Sequence, residues 1–188
     1  MKRTFIAIDI PPNSKINACL DTMSSALAGE KIRWMAGDRL HLTLKFLGDT
    51  EEKAITDIES RLKKATQNLS AFSITIRNAG VFKNFRDPRI IWLGIEPCNE
   101  LLQLKIEIEN QMILSGFPAE ERKFSPHLTV GRVKFLANKH ALQQVIETFQ
   151  EKVLHHFVVP EVIFYESILK KEGPEYIPLA RYSLKNPV

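Results

Sequence analysis

An α+β fold of two related lobes is what the sequence predicts, and three observations point to it. Helical and strand-like stretches mix without the strict alternation of a parallel α/β sheet. The tetrapeptide His41-Leu42-Thr43-Leu44 returns as His127-Leu128-Thr129-Val130, 86 positions further on. Each copy is followed by a stretch with helical spacing, so each lobe is expected to give one strand to a shared groove. No low-complexity tract or Gly/Ser linker divides the chain, and a single bilobal domain over residues 1–188 is expected.

Residues 5–10 are rich in β-branched types and stop at Pro11-Pro12, as a strand does. Residues 14–27 have the apolar spacing of a helix, and Gly29 and Gly37 punctuate the stretch after it. Residues 40–47 read as a strand closed by Gly48, and Asp49-Thr50-Glu51-Glu52 as an acidic helix start. In that helix Ile55, Ile58, Leu62 and Leu69 form the apolar stripe. Strands are expected over 72–76 and 90–95, separated by a basic loop with Lys83, Arg86, Asp87-Pro88 and Arg89. Asn99 is read as the N-cap of a helix with Leu101, Leu104, Ile108 and Met112 on one face, ended by Gly116. A strand over 124–133, a helix over 138–150 and a β-rich tail over 157–184 complete the pattern.

Composition bounds the function. The chain has 188 residues, 44% of them hydrophobic, which is enough for a self-sufficient core. Cys19 and Cys98 are too few for a disulfide framework and lack C-x-x-C spacing, so they read as buried thiols of a cytoplasmic protein. The N-terminal apolar run, broken by Asp9, is too short for a signal peptide, and no apolar stretch reaches the ~18 residues of a membrane span. A net charge of +4 suits a phosphate-bearing ligand without singling one out.

The duplicated tetrapeptide carries the chemistry. Residues two apart on a strand share a face, so His41 projects with Thr43, and His127 with Thr129, while the intervening leucines pack beneath. In-line hydrolysis of a phosphodiester needs a base for the attacking water and an acid for the departing oxygen on the opposite side. Two imidazoles, with an unperturbed pKa of about 6.5, supply both forms near neutrality. The threonine hydroxyls would donate to the non-bridging phosphate oxygens. No H-E-x-x-H or Cys/His ligand spacing points to zinc, and neither metal nor cofactor is expected.

On these residues the chain resembles the two-histidine (2H) phosphoesterase superfamily. Within it, the resemblance is to the RNA 2′,3′-cyclic phosphodiesterases of the LigT or ThpR group, historically called 2′-5′ RNA ligases. It runs nearly end to end. It includes Arg3-Thr4-Phe5-Ile6-Ala7-Ile8, Ile32-Arg33-Trp34, the extension Lys45-Phe46-Leu47-Gly48, and Pro88-Arg89-Ile90-Ile91-Trp92-Leu93-Gly94. It continues through Gly131-Arg132, Glu166-Ser167-Ile168-Leu169 and Gly173-Pro174-Glu175-Tyr176.

The resemblance implies a bilobal LigT-like fold, two pseudo-symmetric lobes of antiparallel sheet with outer helices around a central groove. It implies cofactor-free hydrolysis of RNA 2′,3′-cyclic phosphate ends, or of nucleoside 2′,3′-cyclic phosphates, to 2′-phosphates. Weak ATP-independent 2′-5′ joining of RNA ends would be the reverse reaction, in a monomer that works in RNA processing. By position His41 would be the proton donor, His127 the proton acceptor, Arg132 a phosphate contact and Phe46 a contact to the terminal base. One departure is Gly131, where alanine is expected; the smaller residue should leave activity intact but loosen the strand beside Arg132.

Blander readings stand beside these. A lone histidine is ordinarily structural, and duplication is what lifts His41 and His127 above that. Thr43 and Thr129 would suit any strand, and Arg132 any surface. Phe46 lies opposite Leu47 if alternation persists, which would put it level with Thr43, though strand ends often bend. Trp92, flanked by Ile91 and Leu93, reads as core. His140, His155 and His156 read as structural or exposed. A binding module that grips terminal phosphates without chemistry is the alternative function, and an ATP-driven ligase lacks the phosphate-cradling loop.

Overall fold

The computed structural model describes residues 1–170 and 173–185. Strand β1 (Lys2–Asp9) starts at the second residue and stops where Pro11-Pro12 removes two backbone donors. Helix α1 (Ser14–Ala26) is capped by Asn13, whose Oδ1 accepts from the Lys15 and Ile16 amides at 2.9 and 3.3 Å. A short strand β2 (Lys31–Trp34), absent from the sequence reading, and one 3-10 turn (Gly37–Arg39) lead into β3 (His41–Thr50). Then come α2 (Glu52–Thr66), β4 (Phe72–Phe82), β5 (Ile90–Ile95), α3 (Asn99–Leu114) and β6 (His127–Phe135). Helix α4 (Lys139–Glu147), capped by Asn138, and strands β7 (Val153–Val159), β8 (Glu161–Leu169) and β9 (Pro174–Ser183) complete the chain.

The strands form one antiparallel sheet in the order β7-β4-β5-β6-β3-β1-β8-β9, with β2 added on β6. The expected two lobes are its halves, β7-β4-β5-β6 and β3-β1-β8-β9. They meet at a single ladder pair, Leu42 with Leu128. All four helices cover one face, where Ile6, Ile8, Leu42, Leu44, Ile91, Leu93, Leu128 and Val130 pack against Ile16, Met23, Ile58, Leu62, Leu104, Ile108 and Leu142. Each of these is essentially solvent-free and contributes about 1.5–3 kcal/mol. A one-residue slip would turn the strand members of this set outward, so the core fixes the register and with it the face that carries histidine. On the other face lies a smaller cluster of Phe5, Ala7, Ile163, Tyr165 and Tyr176.

Several boundaries differ from the sequence reading, for local reasons. β3 runs through Gly48 because the glycine takes φ 72° as an irregularity within the strand rather than ending it, so α2 starts only at Glu52. Leu69 lies beyond α2, and Cys98 rather than Asn99 occupies the N-cap position of α3. β4 extends six residues past Ile76 because a bulge at Asn78, held at φ 61°, restores its pairing with β5. Cys19 is buried, whereas Cys98 is only half-buried; both are free thiols. No helix among the described residues is long and apolar enough to cross a membrane.

Candidate active site

The pair Leu42–Leu128 sets the geometry of the groove. Antiparallel pairing about it aligns His41 with Thr129 and Thr43 with His127, so the histidines occupy one diagonal of a square and the threonines the other. In a regular ladder such diagonal neighbours lie about 7–8 Å apart, a separation that admits one phosphate between two imidazoles. All four residues are half-buried on the face away from the helices, whereas Leu42, Leu44, Leu128 and Val130 are sealed beneath.

Beyond the tetrapeptides both strands break their alternation at the same place. In β3 the pairing with β1 skips Leu44, and in β6 the pairing with β5 skips Val130. Two consecutive residues are then buried, Leu44-Lys45 in one strand and Val130-Gly131 in the other. The bulge reverses the phase, so Phe46 and Arg132, each five residues after its histidine, emerge exposed on the groove side. Unbroken alternation puts Phe46 on the helix face with Leu42, not level with Thr43 as the sequence reading had it; the bulge turns it to the groove and brings its ring to within 6.1 Å of Phe5.

Each imidazole is held in the same way. His41 Nδ1 lies 3.0 Å from the Arg39 carbonyl oxygen and His127 Nδ1 lies 2.7 Å from that of Ser125. Both Nδ1 atoms therefore donate, leaving Nε2 to face the groove as acceptor when neutral and donor when charged. Burial pushes both imidazoles below the ordinary histidine pKa, the carbonyl bonds oppose this, and the Arg132 guanidinium adds to it. One difference breaks the symmetry: Asp9, the ladder partner of His41, favours its charged form, and among the described residues no carboxylate does the same for His127. Asp9 in turn accepts from the Tyr165 hydroxyl at 2.6 Å; burial first, and this bond after it, raise the phenol's pKa.

Aromatic rings wall both histidines. Phe5 and Tyr176 lie 5.2 and 4.9 Å from the His41 ring, and the Phe82 ring stands edge-on to His127 at 4.6 Å. Behind the site, buried Lys45 donates to Glu109 at 2.6 Å and to the Pro118 carbonyl at 3.0 Å, while Lys105 bridges Glu109 and Glu120 at 2.6 and 2.7 Å. This network ties β3 and α3 to the connection that delivers Ser125 and His127. Among the described residues no three His, Cys, Asp or Glu side chains are grouped so as to hold a metal ion.

The LigT like Phosphoesterase family model matches this chain twice, over residues 8–92 and 93–176, one tetrapeptide in each match. The chain belongs to this family. As a LigT-like phosphoesterase it is 35% identical over 174 residues to the RNA 2′,3′-cyclic phosphodiesterase of Thermotoga maritima, covering 93% of this chain and 91% of the relative. Its identity to the protein of that name from Escherichia coli K12 is 28%, covering 97% of each. Among solved structures, E. coli LigT complexed with 3′-AMP superposes with a TM-score of 0.73 at 27% identity, covering 97% of this chain and 98% of that one. A protein of Thermus thermophilus shares the fold with a TM-score of 0.78 at 23% identity, covering 98% of each chain.

Every site residue expected from the sequence of this LigT-like phosphoesterase lies on the groove face: His41, Thr43, His127, Thr129, Arg132 and Phe46. Trp92 does not behave as the core residue it was read to be. It pairs with Thr129 on that same face, is half-buried, and lies over Gly80, where a Cβ would come within 2.2 Å of its ring. Phe5, Asp9, Phe82 and Tyr176 were also missed; their clue was alternation, since each lies on the strand face opposite the helix-packed residues. Gly131 does not loosen its strand either. A Cβ there would sit 3.2 Å from both Ile32 and the Trp34 ring, so the glycine lets β2 close down on β6. Lys83 and Arg89 of the basic loop are engaged with Asp87; His155 is engaged with Asn13 and His156 with Thr75, in keeping with the structural or exposed reading of these two histidines.

Proposed function

We propose that the protein hydrolyses RNA 2′,3′-cyclic phosphate ends to 2′-phosphates, with His41 protonating the leaving 3′-oxygen and His127 deprotonating water. The observation that carries this reading is the diagonal pair of imidazoles, each with Nδ1 committed to a backbone carbonyl and Nε2 turned to the groove. An in-line displacement needs acid and base on opposite sides of phosphorus, and a diagonal supplies that. The curated relatives named RNA 2′,3′-cyclic phosphodiesterase support the choice of substrate.

The surroundings of each group support the role assigned to it. Burial, and with it Arg132, lowers the pKa of both imidazoles and so favours the neutral form that a base needs. A bound phosphate monoanion pairs with Arg132 and cancels its effect, and Asp9 then makes His41 the imidazole that takes up the proton. Thr43 and Thr129 donate to the two non-bridging oxygens as their charge grows. Phe46, beside Phe5, offers a face to the terminal base. Joining of RNA ends through a 2′-5′ bond is the same displacement with a 5′-hydroxyl in place of water, and it needs no ATP because the ring already holds the bond energy.

Incubation with nucleoside 2′,3′-cyclic phosphates, followed by 31P NMR, tests this. The expected product is the 2′-monophosphate, lost when either histidine is replaced by alanine. Binding with no monophosphate released would leave a phosphate-end recognition module instead.

A further inference from the structure

The two histidines are braced alike at Nδ1, but the braces rest on supports of different kinds. Arg39, whose carbonyl holds His41, sits in a hydrogen-bonded turn. Its amide donates to the Ala36 carbonyl and the next carbonyl, that of Leu40, accepts from the Ile10 amide, each at 3.0 Å. Ser125, whose carbonyl holds His127, lies in residues 115–126, which join α3 to β6 without forming helix or strand. Just past it the Pro126 carbonyl accepts from the Ile95 amide at 3.1 Å. Upstream, among the described residues, no backbone–backbone hydrogen bond reaches residues 118–125.

Side chains supply the hold instead. Glu109 Oε1 accepts from the Glu120 amide at 2.8 Å, Lys45 Nζ donates to the Pro118 carbonyl at 3.0 Å, and Lys105 Nζ donates to the Glu120 carboxylate at 2.7 Å. Lys105 Nζ also stands 5.8 Å over the ring of Phe124, the residue before Ser125, within cation–π range. Glu109 joins the two lysines at 2.6 Å each. Lys45 faces inward because the bulge after Thr43 buries it together with Leu44. Buried ion clusters are often worth no more to stability than apolar side chains of the same size. Apolar side chains, however, give an amide or a carbonyl no fixed partner, and a connection without a ladder of its own needs such partners.

We propose that Lys45, Lys105, Glu109 and Glu120 are positioning residues for His127 and not for His41. They fix the course of residues 118–124 and hence the direction of the Ser125 carbonyl, which sets the tautomer of the ring and the aim of Nε2 into the groove. Lys45, Lys105 and Glu109 lie on the helix side of the sheet, so the cluster acts without touching the ligand. What His127 does with a proton rests on the acid–base reading above; that the cluster aims the ring does not. A displaced carbonyl lets the ring turn, and small misalignments cost rate while the contacts of Arg132 and Phe46 to the ligand persist.

The test uses Lys105→Met, which removes the central charge of the cluster. Glu120→Gln, at a side chain 41% exposed, cuts only the outermost pair and decides the matter if Lys105→Met does not fold. In the wild type both Nδ1 protons, assigned with His41→Ala and His127→Ala, should be visible by proton NMR and slow to exchange. In Lys105→Met the His127 proton should exchange about tenfold faster, the effect of losing about one hydrogen bond, while the His41 proton is unchanged and reports an intact sheet. On a nucleoside 2′,3′-cyclic phosphate kcat should fall about tenfold with KM within about twofold. Glu120→Gln should move the same proton and kcat in the same direction by about threefold. Both imidazole protons changing together, neither changing, or a loss confined to KM would each overturn the proposal. Should the wild type release no monophosphate, the acid–base reading falls, and the exchange comparison still decides the cluster by itself.

Discussion

Replacing Glu109 by glutamine removes one charge and strands another, that of Lys45, while Lys105 keeps Glu120. Burial works to raise this carboxyl's pKa, but hydrogen bonds from Lys105, Lys45 and the Glu120 amide outweigh it and bring the group down to about 2. Against an ordinary value of about 4.3, that is worth about 3 kcal/mol of folding stability; the side chain's 17% exposure reduces it to about 2. Lys45, only 2% exposed, keeps the Pro118 carbonyl but loses its counter-charge, which restores the total to about 3 kcal/mol. In a chain of this size that predicts a Tm lower by roughly 6–12 °C at pH 7, measured by circular dichroism.

The pH dependence gives the decisive comparison. A carboxylate whose folded pKa is depressed contributes stability that is complete above its unfolded pKa and is lost as pH falls through the folded value. The Tm gap between wild type and Glu109→Gln should therefore hold down to about pH 5. Its carboxylate part should be roughly halved by pH 3 and gone below about pH 2. A gap of equal size at pH 7 and pH 3, or no gap at pH 7, would refute the network as drawn.

Three further outcomes are expected at the groove. Asp9→Asn removes the one carboxylate that favours charged His41, so the alkaline limb of the kcat/KM profile should move to lower pH while the acidic limb, set by His127, stays in place. His41→Ala should regain activity on an aryl phosphodiester more than His127→Ala does, because a good leaving group needs little acid whereas water always needs its base; rescue of His127→Ala alone would exchange the two roles. Arg132→Ala should lower turnover by about tenfold or more and move both limbs to higher pH, since its charge depresses both imidazoles. Lys134→Ala should do neither, and equal small effects would demote Arg132 to a surface residue.

Local signals carried much of this into the sequence. The His-x-Thr copies were legible because period-two alternation is imposed by each strand alone, and α1 and α4 announced themselves through the helical spacing of their apolar residues. The features that stayed hidden depend on neighbouring strands. Neither Leu44 nor Val130 is a glycine or proline, so nothing in the sequence marks the bulges that turn Phe46 and Arg132 to the groove. β2 has four residues and only β6 to pair with, too little pattern to stand out. Trp92 resembled a core residue because Ile91 and Leu93 are core; only the pairing with Thr129 reveals that its own face is the other one. Lys45 sits in an apolar strand, and its partner Glu109 lies 64 residues away.

The matched bulges have a consequence for ligand orientation. A groove with true twofold symmetry would offer a bound phosphate two equivalent poses, with each histidine serving as acid in one and base in the other. The same frame here places a phenylalanine at one bulged position and an arginine at the other. One repeat has specialised toward a flat apolar surface and its counterpart toward charge, so the two poses are no longer degenerate. A duplicated scaffold thereby acquires a polarity of ligand placement through one divergent pair of positions that lie outside the repeated tetrapeptides.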